Sequence, residues 1–300
     1  MPFIRFVIMY LFKLVISLLF CVLSLVGCAP QTEQAATDLQ VWVSLLPQQP
    51  IVQSIVGERG QVEVMVRPGQ SPETYSPSVP QMASLAKADV YFGIGMPLER
   101  VILAKMERSM PHLRFVQTAD LNEDEYEHVH GLDEHHVHGE EDPHVWMDPQ
   151  WMLGFVAQVR DTLIELAPES SELFTANAAA LSAELEALDA KIAAQLKPFA
   201  GRCFYINHPS LGYFAARYGL VQKSIEQGGA APSAKQVSGL VKSAKAEQVR
   251  AIFTQPEFGR SSAGVLASAS GVDLVEVDVL SGEYFSNMLD IAQSLEDSFK

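Results

Sequence analysis

The sequence predicts an α/β protein of two lobes, each a parallel sheet flanked by helices, joined by one long α-helix. Three observations carry this. From Leu39 onward, short β-branched runs alternate with helical patterns, the signature of parallel strands covered on both faces. The alternation occurs twice, with the same scheme but no sequence repeat between the halves. Between them lies one segment whose apolar residues recur at spacings of four and three.

The elements follow in order. Residues 1–27 place Arg5 and Lys13 ahead of an uncharged apolar run that ends in Leu25-Val26-Gly27-Cys28, the layout of an export signal. That ending resembles a bacterial lipobox, in which Cys28 becomes the lipidated first residue of the mature chain. An uncleaved membrane anchor is the competing reading, because the run from Leu14 is nearly long enough to span. Residues 28–38, polar and without periodicity, read as a flexible tether.

Residues 39–167 form the N-terminal lobe. "LQVWVSLL", "VEVMV", "DVYFGIG" and "RFVQTA" are its strands, and "QQPIVQSIVGE", "SVPQMASLAKA" and "PLERVILAKMERSM" are helices between them. Residues 168–198 are the linking helix. Phe174, Ala178, Leu181, Leu185, Leu188, Ile192 and Leu196 make one stripe along it, and Pro168 and Pro198 bound it. Residues 169–197 at about 1.5 Å each give a rod of roughly 43 Å, the span of two domains. Such a joint is stiffer than a pair of extended linkers, so ligand-driven closure should be small. Residues 199–300 form the C-terminal lobe, with strands "CFYIN", "LVQKSI", "VRAIFTQ" and "VDLVEVD" and helices from 209, 233, 261 and 284. Three hundred residues suffice for two lobes with their own cores.

Composition narrows the function. A net charge of −15 argues against nucleic acid, whose phosphates need a basic face. Loss of residues 1–27 leaves 19 basic against 36 acidic residues, a net −17. Cys21 would leave with the signal and Cys28 would be acylated. Cys203 is then the one free thiol, so no disulfide forms within a mature chain, and it reads as a small buried hydrophobe on a strand.

Open α/β sheets bind ligands beyond the carboxyl ends of their strands, so two facing lobes make a cleft there. Four residues fall at such ends. Glu73 lies in "VRPGQSPETYSP", the loop after strand 62–66. His144 lies in "EDPHVWMDP", closing the long loop after strand 114–119. His208 directly follows "CFYIN" and precedes Pro209, which reads as a first helical residue. Asp278 ends "VDLVEVD". Two imidazoles and two carboxylates are a closed ligand set for a divalent transition metal, and their two charges balance M²⁺. Each also has a purely structural reading. His144 is then a loop histidine, His208 a helix cap, and Glu73 a turn residue. Asp278 is then a cap or surface residue, with Glu276 its competitor on the same strand.

"PGQSPETYSPS", "DPHVWMDPQ", "NHPSLGYFAARYGL", "IFTQPEF" and "VEVDVL", in this order, resemble the metal-binding solute receptors of ABC importers, the zinc/manganese cluster. The resemblance runs from about residue 39 to the C-terminus. It implies a monomeric receptor that captures Zn²⁺ or Mn²⁺ between two lobes and delivers it to a membrane permease. One residue departs from the pattern: where members usually carry His after "PG-x-x-P", this chain has Glu73. The departure bears on the choice between Zn²⁺ and Mn²⁺ (or Fe²⁺) more than on binding itself.

Six of the eight histidines lie in residues 127–149. His144 belongs to the four-residue set. His128, His130, His135, His136 and His138 belong to a solvated acidic loop, residues 127–143, which gathers zinc weakly near the mouth or is a passive loop. His112 reads as structural. Two other functions compete. No histidine is followed by Glu, so the H-E-x-x-H arrangement of a zinc hydrolase is absent, and four protein ligands leave no open position for an activated water. A surface adhesin or zinc chaperone without a permease is the other.

Overall fold

The computed structural model describes residues 38–118, 142–226, 230–258 and 261–300. The segment 1–27, Cys28, and His128, His130, His135, His136 and His138 lie outside the described residues.

The first half runs β1 (Leu39–Val43), α1 (Gln48–Val56), β2 (Gly60–Val64), α2 (Val79–Leu85), β3 (Val90–Gly93), α3 (Pro97–Ser109) and β4 (Arg114–Gln117), then α4 (Pro149–Leu166). A 3₁₀ turn (Pro168–Ser170) leads into α5 (Ser171–Leu196), and a second (Lys197–Phe199) ends it. The second half runs β5 (Cys203–Ile206), α6 (Gly212–Arg217), β6 (Val221–Ser224), α7 (Ala234–Ala246), β7 (Ala251–Thr254), α8 (Ser261–Ser270), β8 (Asp273–Glu276) and α9 (Tyr284–Phe299).

Each half holds a four-stranded parallel sheet, and the two orders correspond: β2-β1-β3-β4 and β6-β5-β7-β8. Central strands β3 and β7 are buried at every position, while the edge strand β2 alternates between core and solvent. That is why the central runs read as continuous Val/Ile/Phe. The switch point of each sheet lies beside its second-listed strand, β1 or β5, where crossovers depart to opposite sides and the carboxyl ends open a crevice.

The linking helix buries Phe174, Ala178, Leu181, Leu185, Leu188, Ile192 and Leu196, the stripe read from the sequence. It packs on α1 and α4 from the first half and α9 from the second. One apolar core therefore runs through both halves, from Val41 and Phe92 through Leu185 to Phe204 and Phe253. A smaller cluster, including Tyr205, Ile252 and Leu266, fills the opposite face of the second sheet under α7 and α8. Alternate residues of β5 and β7 feed the two clusters, as a pleated strand requires. Jaw-like opening of the halves would break the continuous core, so the fold favours a small closure.

Two sequence expectations shift. The helix after His208 starts at Gly212, not at Pro209. Long-range side chains take the groups that would begin it: Gln255 donates to the His208 carbonyl at 2.7 Å, and Gln222 accepts from the Leu211 amide at 2.7 Å. Strand β8 ends at Glu276, because its partner β7 stops at Thr254, so Asp278 lies just beyond the sheet. Among the described residues no helix is long and apolar enough to cross a membrane.

Candidate metal centre

Glu73 is delivered by an irregular, proline-punctuated loop after β2. Gly69 supplies a turn with φ of 74°. The loop is tied at both ends by Gln81, which is 9% exposed. Its Nε2 donates to the Met65 carbonyl at 2.9 Å, while its Oε1 accepts from the Tyr75 hydroxyl at 2.9 Å and the Ser78 amide at 3.1 Å. Ser78 and Gln81 also form the capping box of α2.

His144 sits at the start of a 3₁₀ turn (Val145–Met147) that leads into α4, and is 7% exposed. Its Nδ1 lies 2.6 Å from Asp142 Oδ1, which also accepts the His144 amide at 3.0 Å. Trp146, beside it, donates from Nε1 to the Val279 carbonyl at 2.8 Å, and the Tyr284 hydroxyl donates to the Trp146 carbonyl at 3.0 Å. These bonds pin the His144 segment onto the second half, next to Asp278.

His208 follows β5 directly and is 6% exposed. Its Nε2 lies 3.0 Å from Glu73 Oε1, and its Nδ1 lies 3.5 Å from Glu226 Oε2. The two imidazole rings approach to 5.2 Å between centroids.

Glu73, His144 and His208 each offer a ligand atom, and these atoms lie within 4.8 Å of one another. Bonds of about 2.0–2.1 Å in a tetrahedral zinc site put ligand atoms roughly 3.3 Å apart, so small side-chain adjustments suffice for all three to share one ion. The structure thus brings together three of the four expected residues, from both halves of the chain. Asp278 is not in that cluster. It lies past β8, partly buried, with Oδ1 accepting the Leu280 amide at 2.9 Å. Asp278 and Glu276 act on Glu257, whose carboxyl is pushed up by burial first and by these two charges second.

The ionisation of the site suits a cation. The contact with His208 holds the Glu73 carboxyl below its ordinary value, against the opposing effect of burial. Burial pushes Asp142 up, but the electrostatic pull of His144 and the hydrogen bonds from it outweigh that, and the net shift is down. Both carboxylates are therefore anions at neutral pH.

Asp142, Glu226 and Gln81 are the residues that sequence reasoning did not single out. Asp142 was legible as a carboxylate two positions before His144. Glu226 carries no local signal, since strand pairing alone brings it to His208.

Over residues 41–298 the chain matches the family described as zinc-uptake complex component A, periplasmic. It is 28% identical over 289 residues to the zinc-binding lipoprotein AdcA of Streptococcus pneumoniae serotype 4 (strain ATCC BAA-334 / TIGR4), covering 90% of this chain and 57% of that protein. The chain thus spans little more than half the length of that relative. The solved structure of ZnuA is similar with a TM-score of 0.79 at 29% identity, covering 88% of this chain and 100% of that one. A zinc-bound deletion mutant of ZnuA gives a TM-score of 0.77 at 30% identity, covering 87% and 98%.

Proposed function

The chain belongs to the family of periplasmic zinc-uptake component A, solute receptors and not enzymes, and from that premise we propose that it captures Zn²⁺ between its lobes and delivers it to the permease of an ABC importer. The observation that carries this reading is the convergence of Glu73 and His144 from the first half with His208 from the second. Imidazole and carboxylate together suit a divalent first-row metal. Asp278 is the fourth ligand in this reading. The Leu280 amide holds one of its oxygens, so the other is the one it offers to the ion. Four protein ligands close the shell, as a carrier needs and a hydrolase does not.

Mn²⁺ is the second reading, favoured by one observation: Glu73 stands where the pattern usually has imidazole, and carboxylate oxygen suits manganese. Elemental analysis of protein purified without added metal, followed by Zn²⁺/Mn²⁺ competition, tests both. About one zinc per chain that manganese fails to displace is the expected result. Protein that neither retains nor takes up either metal would sink the proposal.

The receptor works as a monomer held at the membrane through lipid on Cys28, in this reading. Cys28→Ser should then release the chain from the membrane fraction or leave it misprocessed, with metal binding unchanged. Recovery of the wild-type protein as a freely soluble species with residue 28 unmodified would contradict the anchor.

In the same reading His128, His130, His135, His136 and His138 gather zinc weakly and reversibly. Deleting residues 127–140 should remove the weak zinc equivalents and keep one tight site. Loss of the tight site on deletion would place a loop histidine among the primary ligands.

A further inference from the structure

The two histidines share a feature beyond their approach to each other: each has a carboxylate at its Nδ1. Asp142 Oδ1 lies 2.6 Å from His144 Nδ1, and Glu226 Oε2 lies 3.5 Å from His208 Nδ1. An ionised carboxylate only accepts, so the ring nitrogen facing it carries the proton and the other keeps its lone pair. His144 alone meets that condition on one side: His208 has carboxylates at both nitrogens, Glu226 at Nδ1 and Glu73, closer at 3.0 Å, at Nε2.

Both carboxylates are themselves held. Asn207 Nδ2 donates to Glu226 Oε1 at 2.7 Å, and the Glu226 amide donates to the Asn207 carbonyl at 3.0 Å. Asp142 is held by space. A Cβ at Gly212, the first residue of α6, would lie 2.5 Å from Asp142 Oδ2. The backbone at Gly212 is one that any residue adopts, so room for the carboxylate, and not a turn, is what glycine supplies there. Asp142 comes from the segment before α4 and Gly212 from the second half, so this contact registers His144 against the lobe that carries His208.

We propose that Asp142 is a positioning residue that fixes the tautomer of His144 before any ion arrives, and that Gly212 provides the space that keeps Asp142 in place. The proposal rests on the reading of His144 as a metal ligand. A ring fixed with Nδ1–H presents Nε2 to the ion without a tautomer change, and the carboxylate behind it raises ligand basicity. Asp142 is the stronger partner. At 3.5 Å the Glu226 contact is electrostatic more than a formed hydrogen bond, so its removal has the smaller effect.

The test combines ¹⁵N NMR of the imidazoles in metal-free protein with zinc titration against a competing chelator. In the wild type His144 should show the Nδ1–H tautomer. Asp142→Ala should turn that signal into a mixture of tautomers and weaken zinc binding roughly 10–100-fold. Asp142→Asn keeps the size and an acceptor oxygen and should lose less. Gly212→Ala should reproduce the loss with thermal stability of the metal-free protein unchanged or raised, because alanine is the better helix former. Glu226→Gln should cost only a few-fold. Wild-type affinity in Asp142→Ala and Gly212→Ala, or an unchanged His144 tautomer in Asp142→Ala, would overturn the inference. Should the wild type itself bind no zinc, the metal reading fails, while the tautomer measurement still decides this one.

Discussion

Replacing His208 with alanine lowers zinc affinity by roughly two to three orders of magnitude and leaves the fold intact. Structural zinc sites bind with about 10–16 kcal/mol. Shared over four ligands, that is roughly 3–4 kcal/mol each, and every 1.4 kcal/mol is tenfold. His208 warrants the full share, because it is buried, follows a central strand, and already lies 3.0 Å from Glu73. The fold should survive because the ring contributes little to the apolar core. Its neighbours Phe204 and Ile206 do that. Metal stabilises the folded state by mass action, by about 4 kcal/mol at a thousand times the dissociation constant. For a chain of this size that is a rise in Tm of roughly 10 °C. Wild-type protein should show that rise with zinc, and His208→Ala should lose it at the same zinc concentration. An undiminished rise in the variant would remove His208 from the site.

The second large effect is at Glu73, where alanine and histidine should act in opposite ways. Glu73→Ala deletes one ligand and one of the negative charges that neutralise the ion, so both Zn²⁺ and Mn²⁺ should bind about 10–100-fold more weakly. Glu73→His supplies a third imidazole. It should raise the Zn²⁺/Mn²⁺ affinity ratio roughly tenfold, because imidazole suits zinc while carboxylate oxygen suits manganese. Zinc should still win in the wild type, since most N/O sites follow that order. Competition titrations of the three proteins read both effects. If Glu73→Ala binds both metals like the wild type, Glu73 is a turn residue held near His208 by Gln81 and nothing more.

The rod between the halves was fully legible in the sequence, because a helix that packs along one stripe shows its period in the apolar residues themselves. All seven stripe residues are buried. The strands were legible for a related reason: central parallel strands are buried on both faces and read as unbroken apolar runs. Their ends were less so. "VDLVEVD" continues its pattern to Asp278, but β8 stops where its partner β7 ends at Thr254, and that partner is fixed only by the tertiary fold. The start of α6 differs for the same kind of reason, since Gln222 on β6 reaches Leu211, and Gln255, just past β7, reaches His208.

The site divides along similar lines. Glu73, His144 and His208 were found by asking which residues follow strands, and the structure draws them together. Asp278 was found by the same question and stands outside the three-residue cluster. Asp142 and Glu226 do not stand out by the same question, because a carboxylate on the far side of a ring does not lie at a strand end facing the site. For Glu226 the link is pairing of β6 with β5, which no local pattern announces.

X-ray absorption at the zinc edge of the metal-loaded wild-type protein tests the central claim most directly, because it reports the ligand atoms themselves. The account predicts two imidazoles, from His144 and His208, and oxygen ligands from carboxylate, all at about 2.0–2.2 Å. Three or more imidazoles would bring the loop histidines into the primary shell, and a sulfur at about 2.3 Å would bring in Cys203. Either result would contradict a centre built from Glu73, His144 and His208.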